Sequence, residues 1–91
     1  MLKIFEYVFL EIGGDLSLEI PEKATILKVY AQRNQIKILV IANSENKIEK
    51  KYFRIYSTNQ AIKKEISKLQ YIGTFQREKD KQSKHLFEIK K

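Results

Sequence analysis

The residues best suited to chemistry in this sequence are basic and aromatic side chains that alternate between positions 50 and 56. Successive side chains of a β-strand point to opposite faces, so Lys50, Tyr52, Arg54 and Tyr56 share one face and Phe53 lies on the other. Aromatic rings stack on nucleobases, and a guanidinium group binds phosphate. The pattern therefore predicts an outward binding surface for nucleic acid or for a protein partner.

Two residues of an earlier predicted strand have the same chemistry. Lys28 and Tyr30 alternate with apolar neighbours, and we expect them to extend the binding surface if the strand order brings them near. The alternative is that all these residues form an ordinary solvated sheet face. Cross-strand pairs on such a face stabilise a sheet by about 0.2–1 kcal/mol each.

Charge is divided unevenly along the chain. Residues 1–22 contain one lysine and five acidic residues, a net charge of −4, whereas residues 23–91 contain 17 bases and six acids, a net charge of +11. A basic surface favours anionic partners such as nucleic acid or acidic proteins. The acidic segment, read as one hairpin, is an alternative interface that mimics nucleic acid, and its residues are Glu6, Glu11, Asp15, Glu19 and Glu22.

Catalytic and cofactor-binding patterns are missing from the sequence. There is no cysteine, and His85 is the only histidine, so none of the common zinc ligand sets can form. Three glycines supply neither a P-loop nor a dinucleotide-binding fingerprint. We expect His85 to be half-buried with a hydrogen-bond partner. The sequence predicts a binding protein that is not an enzyme and that holds no metal or cofactor.

The elements that position these residues are predicted to be about seven short strands. Apolar residues alternate, or run together, near 2–12, 16–20, 27–32, 35–42, 50–56, 71–76 and 85–89. The fourth segment is the most apolar, which is typical of a central strand. The predicted fold class is mostly β, α+β at most, with antiparallel strands in a small sandwich or partly open barrel.

Turn signals predict how these strands connect. Gly13, Gly14 and Asp15 favour a tight hairpin between the first two strands, and Arg33 and Asn34 form a polar turn between the third and fourth. The successive hairpins suggest a meander. One short helix is predicted near residues 59–69, because three apolar residues there recur at helical spacing.

The chain is predicted to be a single domain, residues 1–91, because 91 residues suffice for one core only. Its longest apolar run, residues 38–42, is far shorter than the roughly 20 residues that span a bilayer. Without cysteine the fold must be held by packing, and a reducing compartment is permitted. We therefore predict a soluble protein of the cytoplasm.

Several segments resemble a group of small uncharacterised phage and prophage proteins. The resemblance spans most of the chain and is carried by Lys3-Ile4-Phe5-Glu6-Tyr7, by Ile20-Pro21 with Ala24, Ile26 and Leu27, by Tyr71-Ile72-Gly73-Thr74-Phe75-Gln76, and by His85-Leu86-Phe87-Glu88. Ahead of the histidine this chain has Gln82, Ser83 and Lys84, where the group tends to have glycine and hydrophobic residues. The size and charge of the chain are also similar to those of anti-CRISPR proteins.

The resemblance implies a phage-type inhibitor that binds host machinery in the host cytoplasm. Combined with the charge distribution, it favours a partner that is a host protein or ribonucleoprotein, such as an RNA-guided defence nuclease, whose surface the protein would occupy. One alternative is a small regulator that binds nucleic acid through the basic and aromatic face. Another is a structural or assembly protein of the virion.

Overall fold

The computed structural model describes residues 1–10 and 15–90, and these contain seven β-strands. The strand bounds are β1 (Leu2–Phe9), β2 (Asp15–Pro21), β3 (Thr25–Gln32), β4 (Gln35–Asn43), β5 (Ile48–Ser57), β6 (Leu69–Phe75) and β7 (Lys84–Ile89). All strand pairs are antiparallel, which confirms the predicted fold class.

The strands form two sheets that pack face to face as a small sandwich. One sheet has three strands in the order β1-β4-β3, and the other has four in the order β2-β5-β7-β6. The edge strands β3 and β6 approach each other closely, since a Cβ added at Gly73 would lie 2.6 Å from Val29 Cγ1. Any larger residue at position 73 would therefore force Val29 to shift.

The core lies between the sheets and is built from one face of each strand. In β4 the even-numbered residues from Ile36 to Ala42 are buried, as period-2 alternation requires. They pack with Phe53 of β5 and Leu86 of β7, which are fully buried. Burial of each large apolar side chain contributes about 1.5–3 kcal/mol to stability.

The hairpin between β3 and β4 forms as predicted. Arg33 and Asn34 have φ values of 53° and 62°, so both lie in the left-handed region. Two central residues with positive φ define a type I′ turn, whose twist matches that of the flanking strands. This turn sets the pairing of Gln32 with Gln35.

The predicted meander and the predicted hairpin between the first two strands are wrong. β1 pairs with β4, whereas β2 lies in the other sheet and pairs with β5. The predicted turn residues Gly13 and Gly14 lie outside the described residues. Strand β4 is apolar on both faces and pairs along both edges, so it takes the centre of its sheet and β1 becomes its second neighbour.

The predicted helix near 59–69 is reduced to one 3₁₀ turn, Ile66–Lys68. Ile62 and Ile66 are 44% and 74% exposed, so the apolar spacing buries no stripe against the sheet. Leu69 begins β6 and pairs with Ile89, which removes the last residue of the pattern from any helix. No helix among the described residues is long and apolar enough to cross a membrane.

The charged loop between β6 and β7 begins with a buried ion pair. Arg77 donates from Nε and Nη2 to the two carboxylate oxygens of Asp80, at 2.9 and 2.8 Å. The side chains are only 6% and 5% exposed. The Arg77 hydrogen bonds hold the pKa of Asp80 below its ordinary value. This pair gives the start of the loop a defined turn.

Candidate functional site

The alternation predicted for β5 is present in the structure. Phe53 is fully buried and meets Phe9 edge to face, with ring centroids 5.2 Å apart. Lys50 is exposed, and Tyr52 and Arg54 are partly exposed on the opposite face. Because β5 has β2 on one side and β7 on the other, these side chains lie within a broad sheet surface, which we call the outer face of the four-stranded sheet.

Tyr56 differs from the prediction because it is buried, with only 5% of its surface exposed. Its ring meets Phe87 edge to face at 5.8 Å. Gln60, Ala61 and Lys63, from the chain that follows β5, line a cavity together with Tyr56, so this segment flanks that end of the face. Tyr56 therefore supports the outer face and does not present a free ring to a partner.

Arg54 is held in place by an acidic residue of the neighbouring strand. β2 and β5 are in register so that Asp15 lies opposite Arg54, and its carboxylate accepts hydrogen bonds from Nε at 2.8 Å and from Nη2. The nearby Tyr56 hydroxyl and then Asp15 raise the pKa of the guanidinium. The Tyr56 hydroxyl lacks hydrogen-bonding geometry to any described residue, so we regard Asp15 as the group that orients Arg54.

The outer face also carries a row of three aromatic rings that runs across the strands. Phe87 of β7 lies between Tyr56 of β5 and Tyr71 of β6, with ring centroids 5.8 and 5.5 Å away. We call these three residues the aromatic row. Tyr71 is 56% exposed, so the row ends in an open ring at the sheet edge. Tyr71 and Phe87 were not predicted as site residues, although strand alternation gives a signal for both.

His85 supports this surface through two threonines. Its Nε2 lies 2.8 Å from Thr58 Oγ1, and its Nδ1 lies 2.9 Å from Thr74 Oγ1. Thr74 Oγ1 is in turn hydrogen-bonded to the Tyr71 hydroxyl. The prediction of a half-buried histidine with a hydrogen-bond partner is confirmed. Both ring nitrogens are engaged, so His85 links β7 to β6 through Thr74 and to the residue that follows β5 through Thr58.

Lys28 and Tyr30 do not extend the outer face of the four-stranded sheet. They lie on β3, which pairs with β4 in the three-stranded sheet, and they point away from the core on the opposite side of the sandwich. Lys28 Nζ lies 5.2 Å from the centre of the Tyr30 ring. The Tyr30 hydroxyl donates to Glu6, and this hydrogen bond raises the pKa of Tyr30.

The acidic residues do not form the single hairpin surface that was predicted. Glu6 lies on the three-stranded sheet, whereas Asp15 and Glu19 lie on the outer face of the four-stranded sheet. Glu22 follows β2 in a turn and is half-buried, and Glu11 lies outside the described residues. The cause is the change of sheet between β1 and β2.

A polar cavity at one end of the sandwich was also not predicted. Lys51 points inward and its Nζ lies 3.5 Å from Glu88 and 3.7 Å from Glu49. Lys51, Glu88 and Gln70 line a cavity of about 310 Å³. The ammonium group is matched by carboxylates, so these charges compensate each other. Within the described part of the chain, no group of acidic or histidine side chains has the arrangement of a metal site.

The fold and the site together define a small antiparallel β-sandwich with an aromatic and basic face on its larger sheet. Residues 1–91 match the family described as Domain of unknown function (DUF7352), and the chain belongs to that family. No curated protein gives a significant match to the sequence. No solved structure gives a significant match either.

Proposed function

We propose that this protein is a non-enzymatic binding protein that docks on a host ribonucleoprotein through the outer face of the four-stranded sheet. The partner class that we favour is an RNA-guided defence nuclease, inhibited by occupation of its surface. The observation that carries the proposal is the aromatic row, which ends in the open ring of Tyr71 and lies on the same face as Arg54.

The chemistry of this face suits exposed RNA. A base stacked on an aromatic side chain contributes about 1–3 kcal/mol to binding, with little dependence on sequence. Tyr71 offers an open ring, and Phe87 supports it edge to face. Asp15 holds Arg54 in a fixed orientation, so little side-chain entropy is lost when its remaining N–H groups bind phosphate. The net charge of +7 attracts a polyanion.

The choice of a defence nuclease rests on analogy. The sequence resembles phage and prophage proteins, and its size and charge are similar to those of anti-CRISPR proteins. A guide-loaded nuclease offers RNA and protein surface side by side. A rigid sheet that carries rings and cations can contact both.

Capture of a guide-loaded nuclease tests the proposal. Wild type should be retained, and Arg54→Ala and Tyr71→Ala should each weaken capture about tenfold, which corresponds to the loss of roughly 1.4 kcal/mol. Tyr30→Ala and Lys3→Ala are matched controls, because both residues lie on the three-stranded sheet. Equal capture of all four variants would show that the aromatic row is not the interface.

A second function, direct binding of free nucleic acid by a small regulator, is favoured by the same exposed ring of Tyr71. Titration of labelled single-stranded RNA at rising salt distinguishes the two functions. Direct binding should give a log–log slope of about 0.7 per phosphate contacted. Absence of binding at low salt, with capture of the nuclease retained, would leave only the ribonucleoprotein.

A further inference from the structure

The outer surface of the three-stranded sheet carries apolar side chains that no other described residue covers. Leu2 and Ile4 of β1 are 69% and 63% exposed. Ile4 lies directly opposite Ile41 of β4, and Leu39 of the same strand also points outward and is half-buried. We call these four residues the open apolar face. Contiguous exposed apolar surface of this kind marks an interaction site.

The composition of β4 is unusual for a strand that has one face uncovered. Six of its residues, 36 and 38–42, are apolar, so both faces of the strand are hydrophobic. Runs of this kind are typical of strands that are buried on both faces. In the monomer the face with Ile36, Ile38 and Val40 is buried in the core, and the face with Leu39 and Ile41 is not.

The charges that border the open apolar face are arranged for self-association. Leu39 pairs with Glu6 on one side and with Lys28 on the other, so an acid, an apolar residue and a base form one row across the three strands. The acid lies on one edge strand and the base on the other edge strand. In an isologous interface the same patch must complement itself, and this row does so under one particular rotation.

We infer that the protein forms a symmetric homodimer by packing two three-stranded sheets face to face about a two-fold axis parallel to β4. This rotation places β1 over β3 of the second copy. It also places the row of Glu6, Leu39 and Lys28 directly over the same row of the second copy. Glu6 then lies opposite Lys28 of the second copy, and Leu39 and Ile41 meet their own counterparts. Sheets packed in this aligned way lie about 10 Å apart with their side chains interdigitated.

The alternative two-fold axis, across the strands, is disfavoured by the same register. It places β1 over β1 of the second copy, so Glu6 cannot reach Lys28 and both charges border apolar residues. Glu6 accepts a hydrogen bond from Tyr30 of β3 and lies 3.7 Å from Lys37 of β4, so its carboxylate is held over the outward side of this sheet. The dimer leaves the outer face of the four-stranded sheet free on both copies.

Measurement of molar mass against concentration tests the dimer. Sedimentation of wild type from about 1 to 200 µM should show a monomer–dimer equilibrium, because association depends on protomer concentration. Ile4→Lys should raise the dissociation constant at least tenfold, since it buries a charge in the interface. Ile66→Lys is the matched control, because Ile66 is 74% exposed and lies outside this sheet. Thermal melts check that both variants fold.

Exchange of charges tests the axis. Glu6→Lys and Lys28→Glu should each be mainly monomeric, because like charges then face each other. An equimolar mixture should form a heterodimer, because positions 6 and 28 again face each other with opposite charges. A wild type that stays monomeric, or a dimer that Ile4→Lys leaves unchanged, overturns the dimer. If the wild type forms a dimer but the mixture of the two variants remains monomeric, the proposed axis is wrong.

Discussion

Replacement of Gly73 by alanine tests how the two sheets close on each other. Gly73 lies in β6 next to a bulge, where β6 passes β3 of the other sheet. The added Cβ would lie 2.6 Å from Val29 Cγ1, well inside van der Waals contact. Val29 is only 8% exposed within the core, and its β-branched side chain has restricted rotamers, so it cannot move aside freely.

The size of the effect follows from two opposing terms. Overpacking of a core typically costs about 1–3 kcal/mol. Replacement of glycine also restricts the unfolded chain, which returns about 0.4–1 kcal/mol. We therefore expect Gly73→Ala to lower the free energy of unfolding by about 1–2 kcal/mol. For a domain of this size each 1 kcal/mol corresponds to a fall in Tm of about 4–8 °C.

Urea unfolding of the single and double variants measures this directly. Val29→Ala removes the clashing methyl group, so the double variant Gly73→Ala/Val29→Ala should be more stable than the sum of the two single effects predicts. A coupling of about 1 kcal/mol or more is expected for residues in direct contact. If Gly73→Ala is as stable as wild type, or if the two effects simply add, the close approach of β6 to β3 is wrong.

Three further outcomes are expected from unfolding measurements. Asp80→Ala should cost about 3 kcal/mol at neutral pH because it leaves buried Arg77 without its carboxylate. Arg77 lowers the pKa of Asp80 in the folded protein. The stabilisation is therefore complete above the ordinary carboxyl pKa and is lost as the pH falls through the lowered pKa of Asp80. If the wild type remained more stable than Asp80→Ala in strong acid, this linkage would be wrong. His85→Ala should cost about 1 kcal/mol and leave partner capture intact, whereas loss of capture by a folded variant would assign His85 a direct role. Phe53→Ala should lower the free energy of unfolding by about 3–5 kcal/mol. Phe87→Ala should lower it by less but should weaken partner capture more than Phe53→Ala does. If Phe53→Ala weakened capture more, the interface would lie elsewhere.

The local features of the fold follow from the sequence because they depend on neighbouring residues only. Alternation placed Phe53 inward and Tyr52 and Arg54 outward, and the Arg33-Asn34 turn forms where a polar turn was expected. The apolar run in β4 correctly indicated a central strand. Each of these depends on side-chain period or turn chemistry, and both are encoded within a few residues.

The candidate site could be predicted only in part, because it depends on which strands become neighbours. Tyr71 and Phe87 reach the aromatic row only because β7 pairs with β5 and β6 pairs with β7. Lys28 and Tyr30 were expected in the same surface, but β3 lies in the other sheet. Tyr56 is outward by alternation and is nevertheless buried, since the chain after β5 flanks it.

The sequence by itself determined the β class, the outward face of β5 and the excess of positive charge, since composition and period-2 alternation are sufficient for these. The tertiary structure decided the strand order, and with it the aromatic row, the separation of the acidic residues and the open apolar face. The physical reason is that strand pairing is non-local: backbone hydrogen bonds are the same for any pair of strands. The choice among partners therefore depends on how all the apolar faces are buried together.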